Sequence, residues 1–330
     1  MHWLQNHWYR ITPLHVLLFP ASMVFRALAA LRRAMYRNQI LSSDQLLIPV
    51  IVVGNISVGG TGKTPVTLAL AQQLAGRGWH PLIVSRGYGG KSQRPQQVSM
   101  DSTAEHVGDE PLLMARRSIC PVWVGRDRAA AAHAALQAHP ECDVVLCDDG
   151  LQHYRLQRDF EIAVIDGARG FGNGFLLPAG PLREPVARLQ TVDAVVVNGG
   201  KAPPGQHAMQ LTGETFTNLI DPSQTATADH FRTTRNHAIA GIGHPQRFFQ
   251  HLEKMGIPLT AHAFPDHHRY TSGDLAFAEC DTVLLTEKDA VKCTPFADAR
   301  YWVLRVEAQI DPALIEHILR KITPHGLQTA

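Results

Sequence analysis

Ser57-Val58-Gly59-Gly60-Thr61-Gly62-Lys63-Thr64 follows the apolar run Ile48–Val53 and precedes a helix-forming segment that opens near Pro65. A strand, a glycine-rich turn, Gly-Lys-Thr and a helix together are the setting of a phosphate-binding loop. Glycines let backbone N–H groups converge without Cβ atoms in the way. The helix that follows adds free N–H groups and the positive end of its dipole. Here Gly59, Gly60, Thr61 and Gly62 form the cradle, Lys63 reaches the β- and γ-phosphates, and Thr64 offers its hydroxyl to Mg²⁺. Ser57 stands where the pattern usually has its first glycine. An ordinary glycine-rich turn would have no use for the lysine.

Composition narrows the class. A chain of 330 residues, 45% hydrophobic, has room for two domains or one large one. A net charge of +2 gives no case for a nucleic-acid partner. Cys120, Cys142, Cys147, Cys280 and Cys293 contain no Cys-x-x-Cys pair and read as reduced thiols of a cytoplasmic protein. The histidines lack zinc-ligand spacing, so no structural metal is expected.

Residues 1–37 stand apart. They carry Trp3, Trp8, Tyr9 and the arginines at 10, 26, 32, 33 and 37, and the first acid is Asp44. The uncharged stretch Ile11–Phe25 is shorter than the roughly 20 residues that span a bilayer, and His15 and Pro20 interrupt it. No basic region precedes it, as a signal peptide would require. Aromatic residues at one end and arginines at the other suit an amphipathic helix lying in a membrane interface. The competing reading is a helix packed on the protein's own core.

The next 170 residues alternate strands and helices, which implies a mostly parallel sheet covered on both faces. Pro65 suits the first helical position. Ser85-Arg86-Gly87-Tyr88-Gly89-Gly90 directly follows a strand, so it should face the same crevice as the phosphate loop; Arg86 is a candidate to touch anionic groups. Gly108-Asp109-Glu110-Pro111 precedes a helix, and its two acids could be either helix-start residues or chemistry. Asp143-Val144-Val145-Leu146-Cys147-Asp148-Asp149 is an apolar strand ending in acid, as in a Walker B element with Asp148 directed at Mg²⁺. Gly172–Pro185 is a long glycine- and proline-rich loop of the functional kind.

These stretches, with Leu151-Gln152-His153, Leu177-Pro178-Ala179-Gly180-Pro181-Leu182-Arg183-Glu184 and Thr286-Glu287-Lys288-Asp289-Ala290-Val291-Lys292, closely resemble the tetraacyldisaccharide 4′-kinase family, the lipid A 4′-kinases. The resemblance runs from the N-terminal helix to about Lys292. It implies ATP-dependent phosphorylation of the 4′-hydroxyl of the tetraacyl disaccharide 1-phosphate precursor of lipid A, in lipopolysaccharide biosynthesis. It also implies a peripheral protein on the cytoplasmic face of the bacterial inner membrane, with an acylated glucosamine disaccharide as partner. Carried over by motif, Asp109 is the general base, Lys63 and Arg86 neutralise charge, and Glu110, Gln152 and Arg183 lie on the nucleotide. Thr64, Asp148 and Glu184 are metal-linked. A histidine of Asp266-His267-His268 assists Asp109 from the other domain, with His267 preferred over His268.

The expected architecture is an N-terminal helix (1–37), a P-loop NTPase-like domain (38–205) and a smaller α/β domain (206–310) with a two-stranded linker. A C-terminal helix (311–330) packs back on the first domain. The rival from another class is a P-loop GTPase or ATPase working as a membrane-targeting or metal-insertion switch. Glu287 interrupts the guanine-specifying pattern at Thr286-Glu287-Lys288-Asp289 and speaks against GTP.

Overall fold

A computed structural model describes residues 7–326; Trp3 and the outermost residues of the segments 1–37 and 311–330 lie outside them. Fifteen strands are formed among the described residues, in chain order: β1 Val50–Gly54, β2 Pro81–Ser85, β3 Gln96–Gln97, β4 Val122–Val124, β5 Val144–Asp148, β6 Phe160–Asp166, β7 Ala194–Asn198, β8 His207–Thr212, β9 Phe216–Asn218, β10 Thr225–Ala226, β11 Asn236–Ala240, β12 Leu259–Ala263, β13 Thr282–Thr286, β14 Tyr301–Leu304 and β15 Glu307–Ile310. The helices are α1 Pro13–Arg37, α2 Lys63–Ala75, α3 Ala104–Val107, α4 Asp109–Arg117, α5 Arg128–Ala138, α6 Pro245–Lys254, α7 Glu287–Cys293 and α8 Pro312–Gly326.

Nine strands form one sheet in the order β15-β8-β7-β6-β1-β5-β2-β4-β3. It is parallel except for β3 and β15 at its two edges. Its central strands are buried along their whole length, which is why they read as predominantly apolar runs. The chain order reverses around β1, so the carboxyl ends of β1, β5 and β6 open a crevice at the switch point. Val53 of β1 is in register with Asp148 of β5, which sets the phosphate loop beside the Walker B carboxylate.

The second sheet has the order β10-β9-β14-β13-β11-β12, with β9 antiparallel to β14 and β10 antiparallel to β9. Its core is aromatic, with Phe216, Phe231, Phe249 and Trp302 buried together. β8 and β15 pair with one another and extend the large sheet through β7, so both chain crossings between the sheets are hydrogen-bonded strands rather than loose linkers. Leu314, Ile315, Ile318 and Ile322 of α8 are buried in the core of the large sheet.

Three local expectations change. α2 begins at Lys63, so Pro65 is its third residue; a helix's first turn still has no intrahelical acceptor for that missing N–H. Ser272-Gly273-Asp274-Leu275, which reads from the sequence as the start of a helix, makes only a short 3₁₀ turn at Gly273–Leu275. Finally, α1 runs through Pro20 and is 25 residues long, roughly 37 Å at the standard rise, so neither His15 nor Pro20 ends it. By length and composition it is apolar enough to cross a membrane.

The two faces of α1 differ. One face docks: Ser22 Oγ donates to the Leu176 carbonyl (2.9 Å), Phe19 meets Phe175 edge-on, and Arg33 lies 3.8 Å from Glu184. The other is bare, with Val16 and Leu17 at 78% and 75% exposure and Val24, Leu28 and Leu31 also exposed.

Candidate active site between the two sheets

The phosphate loop is braced from several sides. Gly62 caps α2 in the left-handed region (φ 95°), where a Cβ would stand 2.5 Å from Asn198 Nδ2. Gly59 is also left-handed (φ 102°), so glycine's freedom is used at these two positions and not at Gly60. Asn55 Nδ2 donates to Thr61 Oγ1 (3.3 Å), and Asn198 Nδ2 donates to the Thr61 carbonyl (2.9 Å). Arg169 donates to the Gly60 carbonyl and, at 3.3 Å, to the Gly243 carbonyl that follows β11. Ser57 forms a β-bridge with Leu182 of the long loop, and the Val58 N–H donates to the Pro181 carbonyl (2.8 Å). An extended residue has no need to be glycine, which accounts for the departure at Ser57.

Asp148 is fully buried at the end of β5. Its Oδ1 accepts from Thr67 Oγ1 (3.2 Å), and its Oδ2 has no partner among the described residues. Burial, helped by the Glu110 charge and opposed by Lys63, raises this carboxyl to about 7. A buried carboxylate with an unused oxygen beside a phosphate loop fits a divalent cation. Thr64, in the first turn of α2, is the other residue placed to hold it. Asp149 takes the left-handed conformation (φ 49°). It meets Lys63 Nζ at 3.4 Å and Arg183 Nη1 at 3.2 Å, and despite burial these cations with Arg128 hold it well below the carboxylate range.

Asp148→Asn is therefore expected to raise the melting temperature of the nucleotide-free protein at pH 8, because it removes a buried, incompletely paired charge worth about 1–3 kcal/mol. The sign follows from the raised carboxyl: its favourable contribution is complete below the unfolded-state value and is lost as pH rises through about 7. The same variant should lose any stabilisation by Mg²⁺ with nucleotide. Thermal scans at pH 5 and pH 8 check both effects.

Gly108, the residue before α4, has φ 95°, and a Cβ there would stand 2.7 Å from the Tyr88 carbonyl. The loop after β2 thus packs directly on Gly108-Asp109-Glu110. Asp109 is buried in the first turn of α4, and its Oδ2 lies 2.9 Å from His267 Nδ1. His267 belongs to the loop after β12 and is itself left-handed (φ 59°), while the Tyr88 ring lies 5.1 Å from its ring. His268 instead faces Asp274, 3.3 Å away. Lys288 of α7 completes the group: its Nζ is 3.0 Å from Glu110 Oε1, 3.0 Å from Asp266 Oδ1, 3.4 Å from His267 Nε2 and 3.9 Å from Asp109 Oδ2. Burial pushes Asp109 up, but the His267 hydrogen bond and the Lys288 and Lys292 charges win and hold it at about 2. Burial pushes His267 down, yet its bond to Asp109 raises it overall.

Lys63, Thr64 and Glu110 thus line one crevice, Asp109 and His267 adjoin it through Lys288, and Asp148 is buried at the end of β5. Arg183 joins them through Asp149. Gln152 and Glu184 stand behind the loop. Gln152 Nε2 donates to the Asn55 carbonyl (2.9 Å) and to Glu184 Oε1 (2.8 Å); Glu184 Oε2 accepts from Tyr154 (2.8 Å) and lies 3.4 Å from Arg188 Nε. Glu184 is buried and held behind the loop by these partners. Arg86 is exposed and does not line the crevice, and Arg128 and Arg183 meet Asp149 instead.

Sequence reading missed Arg169, Asn198 and Lys288. Arg169 follows the carboxyl end of β6 and Asn198 is the last residue of β7, where the switch-point rule would have pointed. Lys288 sat inside the downstream motif without a role.

A cavity of about 370 Å³ lies over the loop, lined by Gly60–Thr64 and Glu110 from one sheet and by Gly243, Arg247 and Lys288 from the other. A sequence model of the family described as tetraacyldisaccharide-1-P 4′-kinase matches residues 14–323. The tetraacyldisaccharide 4′-kinase of Methylobacillus flagellatus is 52% identical over 321 residues, covering 97% of this chain and 96% of the relative. That of Azoarcus sp. is 52% identical over 327 residues, covering 97% and 95%. The crystal structure of "apo" form LpxK from Aquifex aeolicus in complex with ATP superposes with a TM-score of 0.78 at 29% identity, covering 94% of this chain and 99% of that one. With a phosphate loop, a buried Walker B acid and an Asp–His pair in place and a match over nearly its whole length, this chain belongs to the tetraacyldisaccharide-1-P 4′-kinase family.

Proposed function

We propose that this chain transfers the γ-phosphoryl group of ATP to the 4′-hydroxyl of the tetraacyldisaccharide 1-phosphate with Asp109 as proton acceptor. The observation carrying this reading is the Asp109–His267 pair, 2.9 Å apart, joined across the two sheets and linked through Lys288 to the cavity over the phosphate loop. A sugar hydroxyl is too weak an acid to ionise alone, so a carboxylate takes its proton as the oxygen–phosphorus bond forms. The acceptor oxygen supplies the new bond's electron pair. The bond from γ-phosphorus to the β,γ-bridging oxygen breaks, its pair leaves on ADP, and the proton ends on Asp109.

Lys63 and the loop N–H groups hold the phosphates. Thr64 and Asp148 would hold Mg²⁺, which would offset the negative charge of the phosphates. His267 keeps Asp109 aimed at the acceptor, and because it arrives from the second sheet, the pair forms only when the sheets are together. That closure also excludes water from the transfer. The protein's family does not favour the switch reading.

The bare apolar face of α1 supports contact with a membrane, in keeping with a four-chain lipid acceptor, and we assign that contact to the cytoplasmic face of the inner membrane, the side on which ATP is available. Val16→Asp with Leu17→Asp alters exposed positions only, so the fold should survive while co-sedimentation with anionic vesicles falls severalfold. The function itself is tested with γ-labelled ATP and the tetraacyldisaccharide 1-phosphate: label should appear at the 4′ position. Label released only as inorganic phosphate would reject it.

A further inference from the structure

We propose that Lys288 is a second phosphoryl-binding cation, supplied by the small sheet and directed at the acceptor side of the transferred group. The proposal rests on the kinase reading above and extends it to a residue that reading leaves without a step. Lys288 lines the same cavity as Lys63 and Thr64 but enters it from α7, on the opposite wall. Its ammonium lies within 4 Å of three carboxylates, those of Glu110, Asp266 and Asp109. Among them Glu110 is close enough to the Walker B acid for its charge to act on Asp148, as Lys63 does. Lys63, Glu110 and Lys288 therefore line one cavity, and Lys288 carries the path on from the phosphate loop to Asp109, 3.9 Å from its ammonium.

A phosphoryl group moving along that path leaves Lys63 on its donor side and meets Lys288 on its acceptor side. In phosphoryl transfer negative charge spreads over three equatorial oxygens, and fixed cations around them are the main catalytic resource. Lys288 already has the desolvated, carboxylate-held position such a cation needs. A structural ion pair would serve equally well at the protein surface; this one is buried and faces the cavity. On binding the triphosphate, the ammonium exchanges part of its contact with Glu110 for a γ-oxygen and remains protonated throughout. Bond making and breaking are unchanged: the hydroxyl proton still goes to Asp109 and the electron pair still leaves on ADP.

The test is binding of ADP and of the β,γ-methylene analogue of ATP, each with Mg²⁺, to the full chain and to Lys288→Met and Lys288→Gln. Losing a γ-phosphate contact should weaken the analogue by about tenfold while ADP affinity stays within about twofold, and turnover should fall by about 10²–10³. Lys288→Arg should recover part of the analogue's advantage over ADP. Equal losses for both nucleotides, or an unchanged preference, would overturn the proposal and leave Lys288 as an ion-pair scaffold. Lys288→Gln keeps donors for Glu110 and Asp266, so it decides the matter if Lys288→Met does not fold. Failure of the kinase reading would be separate: the unaltered chain would then bind nucleotide yet transfer no label to the lipid.

Discussion

Lys63→Ala is expected to lower phosphoryl transfer by about 10³-fold or more, the largest single loss at this site, while leaving a folded protein. Lys63 lies at the first position of α2, with its ammonium 3.4 Å from Asp149 and its charge opposing the raised proton affinity of Asp148. Removing it withdraws the cation on the donor side of the phosphates. It also leaves Asp148 more tightly protonated, so the variant should need a higher pH before Mg²⁺ improves nucleotide binding. Turnover with the labelled-ATP assay and Mg²⁺ titrations at pH 6 and pH 8 check the two effects. Full activity in Lys63→Ala would remove the loop from the mechanism.

Asp109→Asn is expected to lower kcat by about 10²–10⁴ and to leave KM for ATP within about threefold. The substitution keeps the shape of the side chain and a partner for His267, so equal losses in kcat and in ATP affinity would point to a structural role. The same pair sets the pH dependence. With His267 protonated, Asp109 is a weak base, held at about 2. Its proton affinity rises when His267 loses its proton, and His267 is shifted upward from its ordinary 6.5. The rate should therefore climb with pH through a midpoint above 6.5. In His267→Asn that limb should disappear.

Much of this was legible in the residues because local signals and the fold agree. The glycine pattern, the apolar runs and the Gly-Lys-Thr junction locate β1, α2 and β5 because a buried parallel strand must be apolar throughout and a phosphate loop must be glycine-rich. Pairings decided across the chain were not legible. Nothing near Lys288 announces that Glu110, 178 positions earlier, will be its partner. Glu184 and Gln152 carry the residue types of a metal or nucleotide site, but Tyr154, Arg188 and Arg33 take up the carboxylate first. Arg86 follows a strand end, as ligand-binding residues do, yet its side chain turns to solvent. The helix α1 was ambiguous for a physical reason: its docked and bare faces each satisfy a different reading.

The central claim is that proton acceptance depends on two residues from different sheets acting as one unit. A double-mutant cycle on kcat with Asp109→Asn and His267→Asn measures this directly. If His267 works only through Asp109, the double variant should be no more than about threefold slower than Asp109→Asn alone. Losses that multiply, with the double variant slower by the product of the two single effects, would contradict it.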